Sequence, residues 1–273
     1  MTVSAGVARG RARRTVISRR TFLTGAMGVA ASLVAGCRAP GPDAPPPADG
    51  EPSGPDRLQA RPTAATTGAG ATGLQPLGLD ADRDGSVFVP SAAASGGAHP
   101  LILMLHGAGG NGRAALAPFL DGAEEAVVIL VGPDSRLQTW DAIRGAYGPD
   151  VGFVNRALEQ TFQRYPVDPT RVGVEGFSDG ASYALGIGLA NGDLFSRVIA
   201  FSPGFWPQGG TEARPKVFIS HGTADEVLPI DRCSRRIVPA LRQRGYDVRY
   251  DEFEGGHEVP APITAEAMTW FRG

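Results

Sequence analysis

From about residue 85 onward the chain alternates short apolar runs with longer stretches of helical periodicity. The runs at 86–89, 101–105, 126–131, 171–175, 198–201, 217–220 and 248–253 have the length of strands. Several are apolar at every position, as strands covered on both faces have to be. Between them, 151–165, 180–191, 231–245 and 263–271 carry the three-to-four spacing of helices. Strands alternating with helices in this way predict a mostly parallel sheet with crossover helices covering both faces. Asp168-Pro169-Thr170-Arg171 reads as the turn that feeds the strand at 171–175. In open α/β sheets, sites form at the carboxyl ends of strands, so the residues just after each run are where chemistry is expected.

Upstream of residue 76 the pattern changes. Residues 1–36 hold six arginines and no acid, and Arg19-Arg20 precedes a mildly apolar stretch from Leu23 to Gly36. Paired arginines ahead of a short apolar run resemble a twin-arginine export signal, and the run is too short for an ordinary membrane-spanning helix. It ends Leu33-Val34-Ala35-Gly36-Cys37, which resembles a lipobox; the expectation is that Cys37 carries lipid and anchors the protein at a membrane, outside the cytoplasm. From Cys37 to about residue 75 Pro, Gly, Ala and Thr dominate, so 37–75 reads as a disordered tether. This leaves 76–273 as one α/β domain.

Charge and cysteine content refine the picture. The chain has 26 basic and 28 acidic residues; without the six N-terminal arginines, 20 basic residues face the same 28 acids, a formal charge of −8. A mildly acidic folded part argues against a nucleic-acid binder. Cys37 and Cys233 are the only cysteines, which leaves an exported chain without an expected internal disulfide, and Cys233 reads as a small apolar residue.

Gly176-Phe177-Ser178-Asp179-Gly180 follows the strand at 171–175 and opens a helix. A serine on such a strand-to-helix turn projects its hydroxyl into a cleft. With 38 glycines in the chain, the pattern alone arises easily by chance, so its setting has to decide. A serine nucleophile needs a base, and His257 follows the last strand in Gly255-Gly256-His257; the base needs a carboxylate, and Asp225 follows the strand at 217–220 in His221-Gly222-Thr223-Ala224-Asp225. Ser178, Asp225, His257 is the chain order that this fold uses. Glu226 and Asp231 are rival acids. His106-Gly107-Ala108-Gly109-Gly110 follows the strand at 101–105, where the backbone N–H of Ala108, with Gly109 as the alternative, joins that of Asp179 as an oxyanion donor. A phosphate-binding reading of this glycine-rich loop fails because no lysine follows it. His106 is expected to organise the loop.

Taken together, Leu105-His106-Gly107-Ala108-Gly109-Gly110, Gly176-Phe177-Ser178-Asp179-Gly180, His221 to Pro229 and Gly255 to Pro260 resemble the esterase branch of the α/β-hydrolases, with its phospholipase/carboxylesterase, feruloyl esterase and polyhydroxybutyrate depolymerase relatives. The resemblance runs from about residue 100 to the C-terminus. It implies the α/β-hydrolase fold and ester hydrolysis through an acyl-enzyme, with no metal or cofactor. Asp179 departs from the Gln or Asn frequent in those relatives, and it acts there through its backbone. Only residues 202–215 separate two strands at the usual place of a lid, so no lid domain is expected, and an open cleft suits short-chain or polymer-linked esters. Trp140, Tyr147, Phe205 and Trp206 are candidates to line it, with coverage of the sheet edge as the alternative. Competing functions are a non-catalytic binding lipoprotein, a peptidase or amidase of the same fold, and acyl transfer to another acceptor.

Overall fold

A computed structural model describes residues 54–63, 70–206 and 213–273 of the 273-residue chain. The expected export signal at 1–36 and the lipidation of Cys37 lie outside the described residues. Eight strands form one sheet: β1 (Gly73–Pro76), β2 (Gly85–Val89), β3 (His99–Leu105), β4 (Ile129–Pro133), β5 (Val167–Phe177), β6 (Arg197–Phe201), β7 (Lys216–Gly222) and β8 (Val248–Phe253). Their order across the sheet is β1-β2-β4-β3-β5-β6-β7-β8. The pairs from β4 to β8 are parallel, and β1 and β2 form an antiparallel edge. This is the α/β-hydrolase fold.

The continuous apolar runs are explained by burial on both faces. Along β3, Leu101, Leu103 and Leu105 enter one core cluster, while Ile102 and Met104 enter the other. In β4, Ile129 and Val131 likewise face opposite to Leu130. The first face is covered by α3 (Pro149–Arg164), α4 (Asp179–Ala190) and α5 (Ser234–Gln243); the second by α1 (Gly112–Leu116), α2 (Leu120–Ala126) and α6 (Ala261–Arg272). The period-two alternation of strand side chains thus divides each run between two cores.

Four features differ from the sequence expectations. Helix α2 runs to Ala126 and is closed by Val127 at φ 54°, so β4 starts at Ile129 rather than at 126. Asp168-Pro169-Thr170-Arg171 is not a separate turn: β5 already pairs with β3 at Val167, and the extra residues form a bulge between the His99 and Leu101 registers. Residues 73–75, placed in the tether, belong to β1, which runs on to Pro76. Residues 54–63, placed there too, lie against the domain: Leu58 and Ala60 are buried, Arg57 pairs with Asp193, and the Leu58 N–H donates to Asn191 Oδ1 at 2.8 Å. Two apolar side chains and an anchoring arginine suffice to hold a stretch whose average composition reads as disordered.

Candidate active site

Strand β5 ends at Phe177 and α4 starts at Asp179, which leaves Ser178 alone on the turn at φ 58° and ψ −119°. That conformation is unfavourable for a side-chain-bearing residue, and such strain persists only where its surroundings impose it. Here the Ser178 N–H donates to Phe201 O at 2.9 Å, and Ser178 O accepts the Ser182 N–H at 3.1 Å. The flanking glycines are steric necessities. A Cβ on Gly176 would stand 2.2 Å from Gly180 O, and one on Gly180 would stand 2.0 Å from Leu105 O.

The loops after β7 and β8 are tied together by the Thr223 N–H to Phe253 O (2.8 Å) and the Ala224 N–H to Gly255 O (2.9 Å). They bring His257 between the serine and an acid. Its Nε2 is 2.8 Å from Ser178 Oγ and its Nδ1 is 2.6 Å from Asp225 Oδ2. The imidazole also lies against Phe177, with ring centroids 4.7 Å apart. Asp225 Oδ1 accepts the N–H groups of Val227 (2.9 Å) and Leu228 (2.7 Å). Burial pushes the Asp225 carboxyl up, but the Leu228 amide and His257 outweigh it, so the net shift is downward and the carboxylate form is favoured. The rival acids point elsewhere: Glu226 is exposed, and Asp231 pairs with Arg235 at 2.7 Å.

His221, singled out only as part of a motif, proves to be a second imidazole on the same acid. It is fully buried, with Nδ1 2.7 Å from Ser234 Oγ and Nε2 2.8 Å from Leu228 O and 3.2 Å from Asp225 Oδ2. A carbonyl only accepts, which places the proton on Nε2 and lets Nδ1 accept from the Ser234 hydroxyl. Burial holds His221 below its usual range, so the ring is a neutral brace for Asp225 and Leu228.

The loop after β3 is organised by His106, as expected. Its Nδ1–H donates to Gly107 O at 2.7 Å, and its Nε2 accepts the Ser135 N–H at 3.0 Å. The Gly109 N–H is taken by Gln138 O at 2.6 Å and that of Gly110 by Gly107 O at 3.0 Å. The N–H groups of Ala108 and Asp179 have no hydrogen-bond partner among the described residues. They are thus available to an anion, and Gly109 is not. The Asp179 side chain turns to the neighbouring loop, where Oδ2 accepts the Thr139 hydroxyl at 2.6 Å.

Three of the four candidate lining aromatics are corrected. Trp140 is completely buried; its indole N–H donates to His106 O at 2.9 Å and its ring stacks on Tyr183, so it supports the loop from behind. Trp206 packs against the α4 face with the Arg244 guanidinium 4.6 Å from its ring centroid. Tyr147 is likewise drawn onto Tyr183. Phe205 alone of the four is exposed, beside Ser182 of α4. Sequence reading missed Leu137 and Val227, which with Phe205 are the exposed large apolar side chains among the described residues. Leu137 precedes Gln138 and Thr139, which contact Gly109 and Asp179, the Val227 N–H donates to Asp225 and the Phe205 N–H donates to Ser182 Oγ, so all three belong to loops that adjoin the candidate catalytic groups.

The model of the Esterase family matches residues 78–234, more than half of the chain, including Ser178 and Asp225. The chain belongs to the Esterase family. Among curated proteins this family member is similar to the bifunctional acetylxylan esterase/xylanase XynS20E of Neocallimastix patriciarum, with 31% identity over 156 residues, 54% of this chain and 22% of that one. It is also similar to NocK of Nocardia uniformis subsp. tsuyamanensis, with 29% identity over 195 residues, 66% of this chain and 52% of that one. The chain thus spans about a fifth and about half of the length of these two relatives. Among solved structures, esterase PE8 superposes with a TM-score of 0.56 at 22% identity, covering 69% of this chain and 97% of PE8, a likeness of fold.

Proposed function

We propose that the protein is a serine hydrolase that cleaves carboxylic esters through an acyl-enzyme. The observation that carries this reading is the hydrogen-bonded series from Ser178 Oγ through His257 to Asp225, at 2.8 and 2.6 Å. In the first half-reaction Ser178 Oγ forms a bond to the ester carbonyl carbon while its proton passes to His257 Nε2. The charge that develops on the carbonyl oxygen is met by the Ala108 and Asp179 N–H groups, and the imidazolium is stabilised by Asp225. Collapse breaks the bond to the alcohol, which leaves with the proton from His257. Water then repeats the sequence on the acyl-enzyme, which frees the carboxylic acid and restores the serine. Serine chemistry of this kind requires no metal or cofactor. The exposed apolar side chains of Leu137, Phe205 and Val227 on loops that adjoin these groups support substrates with an apolar acyl or alcohol part.

The test is turnover of p-nitrophenyl esters of graded acyl length by the wild type and by Ser178→Ala. The variant is expected to lose activity by about 10⁴-fold or more with an unchanged circular dichroism spectrum. Retention of activity by the alanine variant contradicts the assignment.

A further inference from the structure

Beside the reaction centre lies a pocket of about 380 Å³, a size that encloses a small ligand group. Gly107, Ala108, Phe177 and Val259 form the part nearest the serine, and Ala115 lies on the wall supplied by α1. A Cβ on Gly107 would stand 3.4 Å from Phe177 Cδ1 and 3.5 Å from Ser178 Cβ, so the pocket begins against the nucleophile.

The depth of the pocket holds Glu175. Alternation along β5 puts Glu175 on the same face as Phe177, about 7 Å farther down the strand. Its cross-strand neighbours are Met104 and Ile199, both members of the apolar cluster on that face. The position thus calls for an apolar side chain and carries a carboxyl. Glu175 is 3% exposed, and its carboxyl has no hydrogen-bond or ion-pair partner among the described residues. Burial alone pushes it well above the usual carboxylate range, which favours the neutral acid. A buried polar group without a partner is costly, and an apolar residue of similar size would remove that cost. Neither the fold nor the proposed chemistry at Ser178 uses this group; a ligand entering the pocket would.

We propose that this pocket is an acyl subsite and that Glu175 is its specificity-determining residue, receiving an apolar acyl chain that ends in a hydroxyl group. The inference rests on the esterase reading and deepens it. A carboxylic acid both donates and accepts, which matches a hydroxyl and gives an ammonium group no advantage unless the acid ionises. The distance from Ser178 to Glu175, three residues along the chain and at most about 10 Å, suits an acyl chain of about six carbons.

The experiment compares p-nitrophenyl acetate, hexanoate and 6-hydroxyhexanoate on the full chain, with fluorophosphonate labelling of Ser178 in parallel. The wild type is expected to prefer the hydroxyhexanoate over the hexanoate by roughly tenfold in kcat/KM. Glu175→Leu should abolish or reverse that preference with the acetate rate within about twofold, and Glu175→Gln should keep it. Ala115→Phe, which fills the pocket from α1 and leaves Glu175 in place, should slow both hexanoyl esters and spare the acetate. Equal use of the two hexanoyl esters by the wild type, or a preference unchanged by Glu175→Leu, overturns the subsite. Failure of Ser178 to label sinks the esterase reading itself, and the subsite with it; normal labelling with unaltered selectivity sinks the subsite alone.

Discussion

Asp225 holds its carboxylate between two backbone amides and two imidazoles, and each partner has a separate consequence. The amides and His257 favour its ionised form against burial, so the His257 Nδ1–H donates to a carboxylate and Nε2 is presented to Ser178. Asp225→Asn keeps the shape and removes that charge. It is expected to lower kcat by about 10³- to 10⁴-fold with little change in KM, as read from ester hydrolysis. Glu175 behaves oppositely. Its folded-state pKa is raised from the ordinary 4.5, so the folded chain binds this proton more tightly than the unfolded chain does. Stability then falls as pH rises from about that value toward the folded pKa. Glu175→Gln removes the titration, and its stability relative to the wild type should grow between pH 4 and neutrality in urea unfolding series. A pH-independent difference would show that the carboxyl is not held neutral. That Ser178, Asp225 and His257 meet was legible in the sequence because each follows its own strand in the order this fold uses. His221 and Glu175 were not, since their roles depend on which atoms close around them rather than on spacing.

At the scale of elements, the long runs and helices from β3 to α6 were legible because burial on two faces forces continuous apolar text. Helices α1 and α2, of five and seven residues, were not, since neither is long enough to display a helical period. The strand at 126–131 was misread at its start because one apolar run supplies the end of α2, its left-handed cap at Val127 and the beginning of β4. Helix α4 shows why glycine in a helix interior can be required. A Cβ on Gly188 would stand 2.6 Å from Val198 Cγ2 and 2.8 Å from Val174 Cγ1, on two stiff β-branched side chains of the sheet. Gly188→Ala should therefore destabilise the protein by about 1–3 kcal/mol, despite the better helix propensity of alanine. Thermal unfolding checks this; an unchanged or raised Tm would mean that the sheet yields readily at this contact.

For the whole molecule, the boundary of the domain was the least legible feature. Composition averaged over 37–75 hides the few residues in 54–63 that fasten the chain to α3 and α4. Leu58 is fully buried, the N–H groups of Gln59 and Ala60 share Asn155 Oδ1, and Arg57 reaches Asp193 just beyond α4. Leu58→Ala should cost about 2–4 kcal/mol, measurable as a lower urea midpoint, and a midpoint equal to wild type would show that this stretch is not fastened in solution. This strap braces the C-terminal end of α4, at the far end of the helix from Ser178, so the same loss should leave the proposed reaction mechanism intact and lower only the fraction folded.

The most direct test of the central claim is the site of covalent capture. Incubation of the full chain with a fluorophosphonate, followed by digestion and peptide mass analysis, should place one phosphonyl group on Ser178. The adduct should be absent from Ser178→Ala and form far more slowly with Asp225→Asn. An adduct on another residue, or none on a folded protein, would contradict the account.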